Sequence, residues 1–167
     1  MSVRNAVALE PMRRRHIRRV LEIENQVYPR PWTQGVFTDE LAAARRAQRH
    51  YVVALLNDQL VGYAGIMLSI DEAHVTNIAV DPAMQRRGIG RTLMLELCAA
   101  ARDCGCKSMS LEVRVSNKAA QAMYAEFGFV PAGVRQRYYE NTEDAIVMWC
   151  LDIDGDAFAD RLAKIAG

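Results

Sequence analysis

The 167-residue chain lacks any apolar run long enough to cross a membrane: its longest strongly apolar stretch, near Val61 to Ile70, falls far short of the ~20 residues a helical span needs. Its amino terminus lacks the apolar core of a signal peptide, so a cytoplasmic protein is expected. Cysteine is sparse, and Cys98, Cys104, Cys106 and Cys150 match neither a zinc spacing nor a redox Cys-x-x-Cys. They read as reduced thiols. The three histidines, His16, His50 and His74, are scattered without metal-ligand spacing and read as surface or locally bonded side chains, so no metal is assigned. Nor is there an excess of one charge, because 21 basic residues meet 20 acidic ones for a net charge of +1. That balance argues against direct nucleic-acid binding driven by bulk charge. Arg13, Arg14, Arg15, Arg18 and Arg19 make one helix basic, and Asp152, Asp154, Asp156 and Asp160 make the tail acidic; both read as solvated surface.

What is present is an ordinary globular composition, 51% apolar and 25% charged with 10 Gly and 5 Pro, which excludes disorder and collagen-like repetition. At this length one compact unit buries about 70% of its unfolded surface.

Val3 to Leu9 alternates as a first strand, and Pro11 opens a segment whose Ile17, Val20, Leu21 and Ile23 recur at helical spacing up to Tyr28. Thr33 caps a second helix through Phe37, Leu41 and Ala44. Tyr51 to Leu56 and Leu60 to Ile70 form a hairpin about Asn57, Asp58 and Gln59, and Glu72 to Val80 is a further strand that stops at Asp81 and Pro82. Leu93, Leu97, Ala100, Ala101 and Cys104 share one helical face, and Gly105 ends that helix. Lys107 to Val115 then alternates, with Met109, Leu111, Val113 and Val115 on the apolar side and Ser108, Ser110, Glu112 and Arg114 on the polar side. Ser116 or Asn117 caps a short helix that Gly128 terminates, and Phe129 to Val134 and Ala145 to Ile153 are the last strands. The class expected is α/β (α+β), a mixed and mostly antiparallel sheet flanked by helices. One domain is expected over residues 1–151, and in the tail 152–167 the spacing of Phe158, Leu162 and Ile165 suggests an amphipathic helix that packs on the domain or mediates a dimer.

A strand leading through Gln85-Arg86-Arg87-Gly88-Ile89-Gly90 into a helix is suited to an anionic group, because glycines admit close backbone approach and the helix amino terminus adds partial positive charge. It is neither a Walker loop nor a dinucleotide fingerprint. Standing alone it is either a phosphate cradle or a plain strand-to-helix turn. The ordered set Asn77-Ile78-Ala79-Val80-Asp81-Pro82, Gln85-x-x-Gly88-x-Gly90, Leu111-Glu112-Val113-Arg114 with Ser116-Asn117, Ala122-Met123-Tyr124 and Gly128-Phe129 resembles the GNAT superfamily of acetyl-coenzyme A dependent N-acetyltransferases. Pro31-Trp32-Thr33, Leu111 to Asn117, and Arg137-Tyr138-Tyr139 with Glu143-Asp144-Ala145 are similar to its RimI-type branch, the ribosomal-protein-alanine N-terminal acetyltransferases.

The resemblance implies that Arg86, Arg87, Gly88, Ile89, Gly90 and Arg91 hold the pyrophosphate of acetyl-coenzyme A. It implies too that the backbone of Ile78, Ala79 and Val80 pairs with the pantetheine arm and that Asn117 also contacts the coenzyme. It makes Glu112 the proton acceptor and Tyr124 the proton donor in a direct attack, which needs no covalent enzyme intermediate. Read from spacing alone, Glu112 is an exposed carboxylate and Tyr124 a half-buried core aromatic. Tyr138 and Tyr139 either line a peptide entrance, as the branch implies, or pack on a terminal strand. The acceptor implied is the amino-terminal alanine of a small-subunit ribosomal protein. A lysine or small-molecule amine, and a non-catalytic acyl-coenzyme A sensor, are the competing readings.

Overall fold

The structure is a computed structural model, and it describes residues 7–46, 48–139 and 143–167. The strands are β1 (Ala8–Pro11), β2 (Arg49–Leu56), β3 (Gln59–Leu68), β4 (Glu72–Val80), β5 (Ser108–Arg114), β6 (Val130–Tyr139) and β7 (Glu143–Leu151). The helices are α1 (Ile17–Val27), α2 (Gln34–Ala44), α3 (Ile89–Asp103), α4 (Lys118–Glu126) and α5 (Asp156–Ala166). The strands form one seven-stranded sheet in the order β1-β2-β3-β4-β5-β7-β6. The β1–β2, β5–β7 and β6–β7 ladders are antiparallel and β4–β5 is parallel, so the mixed sheet expected from sequence is the one observed. By internal packing the described residues divide into two compact units, one built from the chain up to Ile66 with Asn77–Leu97, the other from Met67–Thr76 with Cys98–Gly167.

In the first unit β3 is buried almost without interruption from Leu60 to Ile66, as a central strand covered on both faces must be. The amphipathic α1 turns Ile17, Val20 and Ile23 inward against Phe37 and Leu41 of α2 and Tyr51, Val53 and Tyr63 of the strands. Thr33 caps α2 by accepting a hydrogen bond from the Val36 amide at 3.3 Å. Two glycines in β3 are set by close approach. A Cβ on Gly62 would stand 3.0 Å from the Ala79 carbonyl and 3.2 Å from Leu93, and one on Gly65 would stand 2.0 Å from the Tyr51 ring.

In the second unit Met109, Leu111 and Val113 of β5 are buried, as their alternation predicts. Val115, expected on the same side, lies past the end of the strand and is exposed. Asn117, not Ser116, caps α4, its Oδ1 accepting from the Ala120 amide at 3.1 Å, while the Ser116 hydroxyl turns to Glu143. Gly128 follows α4 with φ +94, and Arg161 of α5 reaches back to donate to the Glu126 carbonyl at 3.1 Å. A cation thus sits at the carboxy-terminal end of α4, where the helix dipole favours it. Phe158 anchors α5 in this unit.

Sequence boundaries differ around Pro11 and at the end of β6. Pro11 closes β1 opposite Val52 rather than opening a helix, because a strand end tolerates a residue without an N–H, and α1 begins only after a short 3-10 turn at Arg14–His16. The expected strand start at Val3 to Ala6 lies outside the described residues. Strand β6 continues five residues past Val134, through Tyr139. It lies at the end of the strand order, and register shifts at Pro131/Gly133 and Arg135/Tyr139 with Arg135 and Arg137 along it make it a poor template for further pairing.

The Tyr51 ring over Gly65 is held by its own burial and by a hydrogen bond from its hydroxyl to Glu40 at 3.0 Å, so it has little room to yield. Gly65→Ala is expected to destabilise the protein by about 1–3 kcal/mol through overpacking. The check is a urea midpoint; an unchanged value would show that the ring relocates without cost.

Candidate active site

Strand β4 ends where Asp81 caps a 3-10 turn at Pro82–Met84, accepting from the Ala83 amide at 3.0 Å. Arg19 of α1 pairs with the same carboxylate at 2.5 Å. The loop that follows is wound by two left-handed residues, Arg86 at φ +66 and Gly88 at φ +80. Alternation of backbone hand turns successive N–H groups toward one side, which is the construction of an anion-binding nest. Arg86, Arg87, Gly88 and Arg91 are exposed, while Ile89 is buried and roots the start of α3. Thr92 locks the first turn, with its amide and its hydroxyl both donating to the Gly88 carbonyl at 3.0 Å. A Cβ at Gly88 would meet nothing within 4 Å, so the space above the loop is open to a ligand group and not filled by protein. The loop therefore fits a pyrophosphate on its own geometry.

On β4 the Ile78 carbonyl accepts from the Tyr28 hydroxyl at 3.0 Å, and the amide following Val80, that of Asp81, donates to the Val61 carbonyl at 2.8 Å. Asn77 does not stand out as a site residue from sequence. Both polar atoms of its side-chain amide are buried and have no partner within the protein. Buried amides are rarely left so.

The second unit carries the acid–base candidates. The parallel ladder of β4 and β5 pairs Glu72 with Ser108, Ala73 with Met109 and His74 with Ser110. That register sets the His74 ring beside the polar face of β5. Its Nε2 lies 2.9 Å from Glu112 Oε2, and its Nδ1 lies 2.9 Å from the Ser110 hydroxyl. Arg135 of β6 approaches the other carboxylate oxygen, Oε1, at 3.5 Å. The Glu112 side chain is only 9% exposed. The hydrogen bond from His74 holds its carboxyl below the usual carboxylate range; burial opposes this, and the charges of His74 and Arg135 reinforce it.

Tyr124 is buried on α4, its ring tilted on Phe129 at 6.1 Å. Burial pushes its phenol well above the usual range, and the neighbouring Tyr139 adds to that. Tyr139 stacks under the Arg114 guanidinium at 4.2 Å and meets Tyr138 edge-on at 5.1 Å, and Arg135 lies over Tyr138 at 5.4 Å. Asn117 is exposed at the start of α4 with Oδ1 committed to its cap. The second unit thus brings Glu112 together with His74, Ser110 and Arg135, and Tyr124 together with Tyr139. The loop residues Arg86 to Arg91 and the strand residues Ile78, Ala79 and Val80 belong to the first unit.

Sequence reasoning places Glu112 and Ser110 on one polar face, but it reads His74 as a scattered surface or locally bonded residue and does not single out Arg135. Among the described residues no group of three His, Cys, Asp or Glu side chains is placed to hold a metal ion. The cysteines are all free, with Cys98, Cys106 and Cys150 buried and Cys104 exposed. No helix is long and apolar enough to cross a membrane among the described residues.

Residues 17–129 match the model of the acetyltransferase (GNAT) family. The chain is 38% identical over 130 residues to the [ribosomal protein bS18]-alanine N-acetyltransferase of Escherichia coli strain K12, covering 75% of this chain and 84% of that protein. It is 41% identical over 139 residues to the N-alpha-acetyltransferase RimI of Mycobacterium tuberculosis, covering 80% of this chain and 84% of that protein. The crystal structure of the Escherichia coli ribosomal-protein alanine N-acetyltransferase superposes with a TM-score of 0.78 at 31% identity, covering 88% of this chain and 94% of that one.

Because the folded-state pKa of Glu112 is depressed, its pairing contributes stability above the unfolded value of about 4.3 and loses that contribution as pH falls through the folded value. Glu112→Gln is expected to be less stable than the wild type at pH 7, with the difference shrinking below about pH 4. Urea midpoints of both proteins between pH 3 and 7 check this, and a pH-independent difference would contradict the pairing.

Proposed function

From the chain's membership of the GNAT acetyltransferase family, which makes it an acetyl-coenzyme A dependent N-acetyltransferase, we propose that its acceptor is the α-amino group of a protein, the amino-terminal alanine of a small-subunit ribosomal protein. The observation that carries this reading is the 38% identity over 130 residues to a relative named for that reaction on bS18. The protein then works in the cytoplasm, where ribosomes are assembled.

Acetyl-coenzyme A supplies the activated acetyl thioester. The nest at Arg86, Arg87, Gly88, Ile89, Gly90 and Arg91 would hold its pyrophosphate through backbone N–H groups and the α3 dipole. The backbone of Ile78, Ala79 and Val80 would pair with the pantetheine arm in the manner of an added strand, with Asn117 as a further contact. The unsatisfied amide of Asn77 on the same strand is a candidate for another.

An α-amine has a pKa near 8, so about a tenth of it is neutral at pH 7 without help. What a base must still do is remove the N–H proton that becomes acidic as the C–N bond forms. Glu112 takes this role as an ionised carboxylate able to accept, directly or through water; the His74 hydrogen bond that lowers its pKa makes it a weaker base than a free glutamate. Tyr124 is suited to the opposite role. Its phenol is protonated at neutral pH and would donate its proton to the departing sulfur, although burial makes it a weaker acid than a free tyrosine. Tyr138 and Tyr139 supply an aromatic wall for the entering peptide.

Mass spectrometry of an alanine-led free peptide, and of an amino-blocked version with an internal lysine, after incubation with acetyl-coenzyme A tests the acceptor. Labelling confined to the free α-amine is expected; lysine-only labelling would move the assignment to side-chain amines, and coenzyme binding without labelling of either would favour a sensor. Glu112→Gln should lower kcat by about 100-fold or more while leaving coenzyme affinity within a few-fold. The loop is tested with Gly88→Ala and Gly105→Ala, since both glycines have φ near +80 and open space for a Cβ. Each should incur a similar backbone strain of about 1–2 kcal/mol. Only Gly88→Ala should weaken coenzyme binding, read by calorimetry, and equal affinities would contradict the cradle.

A further inference from the structure

We propose that His74 is a positioning residue for Glu112, holding one carboxylate oxygen so that the other is presented to the substrate amine. The inference rests on Glu112 being the base. Its physical content is a three-residue chain, Ser110 to His74 to Glu112, created by the parallel register that sets His74 opposite Ser110. In such a pair facing residues project to one side of the sheet, and Glu112, two residues beyond Ser110, shares that side.

A carboxylate only accepts, so the ring nitrogen 2.9 Å from Glu112 Oε2 carries the proton and donates it. In the neutral ring, Nδ1 then accepts from the Ser110 hydroxyl at 2.9 Å. In the protonated ring, Nδ1–H donates to the same hydroxyl oxygen. The hydroxyl rotates and the Nε2–H to Oε2 bond survives in both forms, so the contact that orients Glu112 does not depend on the charge of the ring. A ring held at both nitrogens has its plane fixed, and with it the Glu112 side chain.

The two carboxylate oxygens are held unequally. Oε2 has a short bond from a ring that is itself held at its far nitrogen, whereas Oε1 has a 3.5 Å approach from Arg135, whose side chain is 57% exposed. Oε1 therefore retains lone-pair capacity for a proton. His74 decides which oxygen does the accepting and where it stands.

Displacing a reacting group by about 1 Å can cost ~100-fold in rate. His74→Ala should lower kcat by about 10- to 100-fold with coenzyme affinity and peptide KM within about 3-fold. His74→Gln, whose amide N–H reaches the place of Nε2 without a titratable ring, should restore kcat to within a few-fold of wild type. On a Glu112→Gln background, His74→Ala should add no further loss, because its route of action is already gone. Thermal melts and coenzyme calorimetry on each variant exclude misfolding as the cause. A wild-type kcat for His74→Ala beside an impaired Glu112→Gln would overturn the inference and leave the base assignment standing. Equal losses in His74→Ala and His74→Gln, or a full His74 effect without Glu112, would also overturn it. A wild-type rate for Glu112→Gln would instead remove the reading beneath it.

Discussion

The three-residue parallel ladder between β4 and β5 is the constraint on which the rest of the chemistry depends. Parallel strands cannot be joined by a tight turn and need a crossover of about a dozen residues or more, usually a helix. Here the crossover is the turn after Asp81, the left-handed loop at Arg86 and Gly88, and α3. The left-handed loop is thus where the chain must leave one strand and start a helix. The same ladder sets His74 against Ser110 and so beside Glu112. One choice of strand direction yields both a helix amino terminus and an organised carboxylate.

The electrostatics of the second unit work by separation. Glu112 is drawn down by a hydrogen-bonded ring and a guanidinium, and Tyr124 is driven up by burial with a second phenol nearby. Both shifts leave the carboxylate ionised and the phenol protonated at neutral pH, and each makes its group a weaker proton-transfer partner than the unperturbed side chain. The near balance of charge along the chain does not bear on this, because the groups that act on Glu112 are the His74 ring at 2.9 Å and the Arg135 guanidinium at 3.5 Å. Over such distances a partly buried pair is screened far less than surface charges spaced beyond a Debye length.

Much of the fold was legible in the sequence because its signals are local. The alternation of Met109, Leu111 and Val113, the cap at Thr33 and the left-handed Gly128 each depend on a handful of neighbouring residues, and each appears in the structure where it was expected. Boundaries set by pairing were less legible. Strand β6 runs to Tyr139 because β7 offers it partners as far as Glu143, and nothing in Arg135 to Tyr139 alone marks that length. Pro11 misled because a proline both opens helices and closes strands, and only the facing Val52 distinguishes the two.

The candidate site divided along the same line. Loop glycines and a polar strand face can be read from spacing, so the residues proposed to bind and react were named from the sequence. Their supports were not, since His74 lies 36 residues from Ser110 and Arg135 comes from β6. A register difference of one residue would have turned His74 to the other side of its strand. Whether a histidine is an idle surface ring or the second partner of a carboxylate is therefore decided by strand register, an interaction summed over the whole sheet and carried by no short motif.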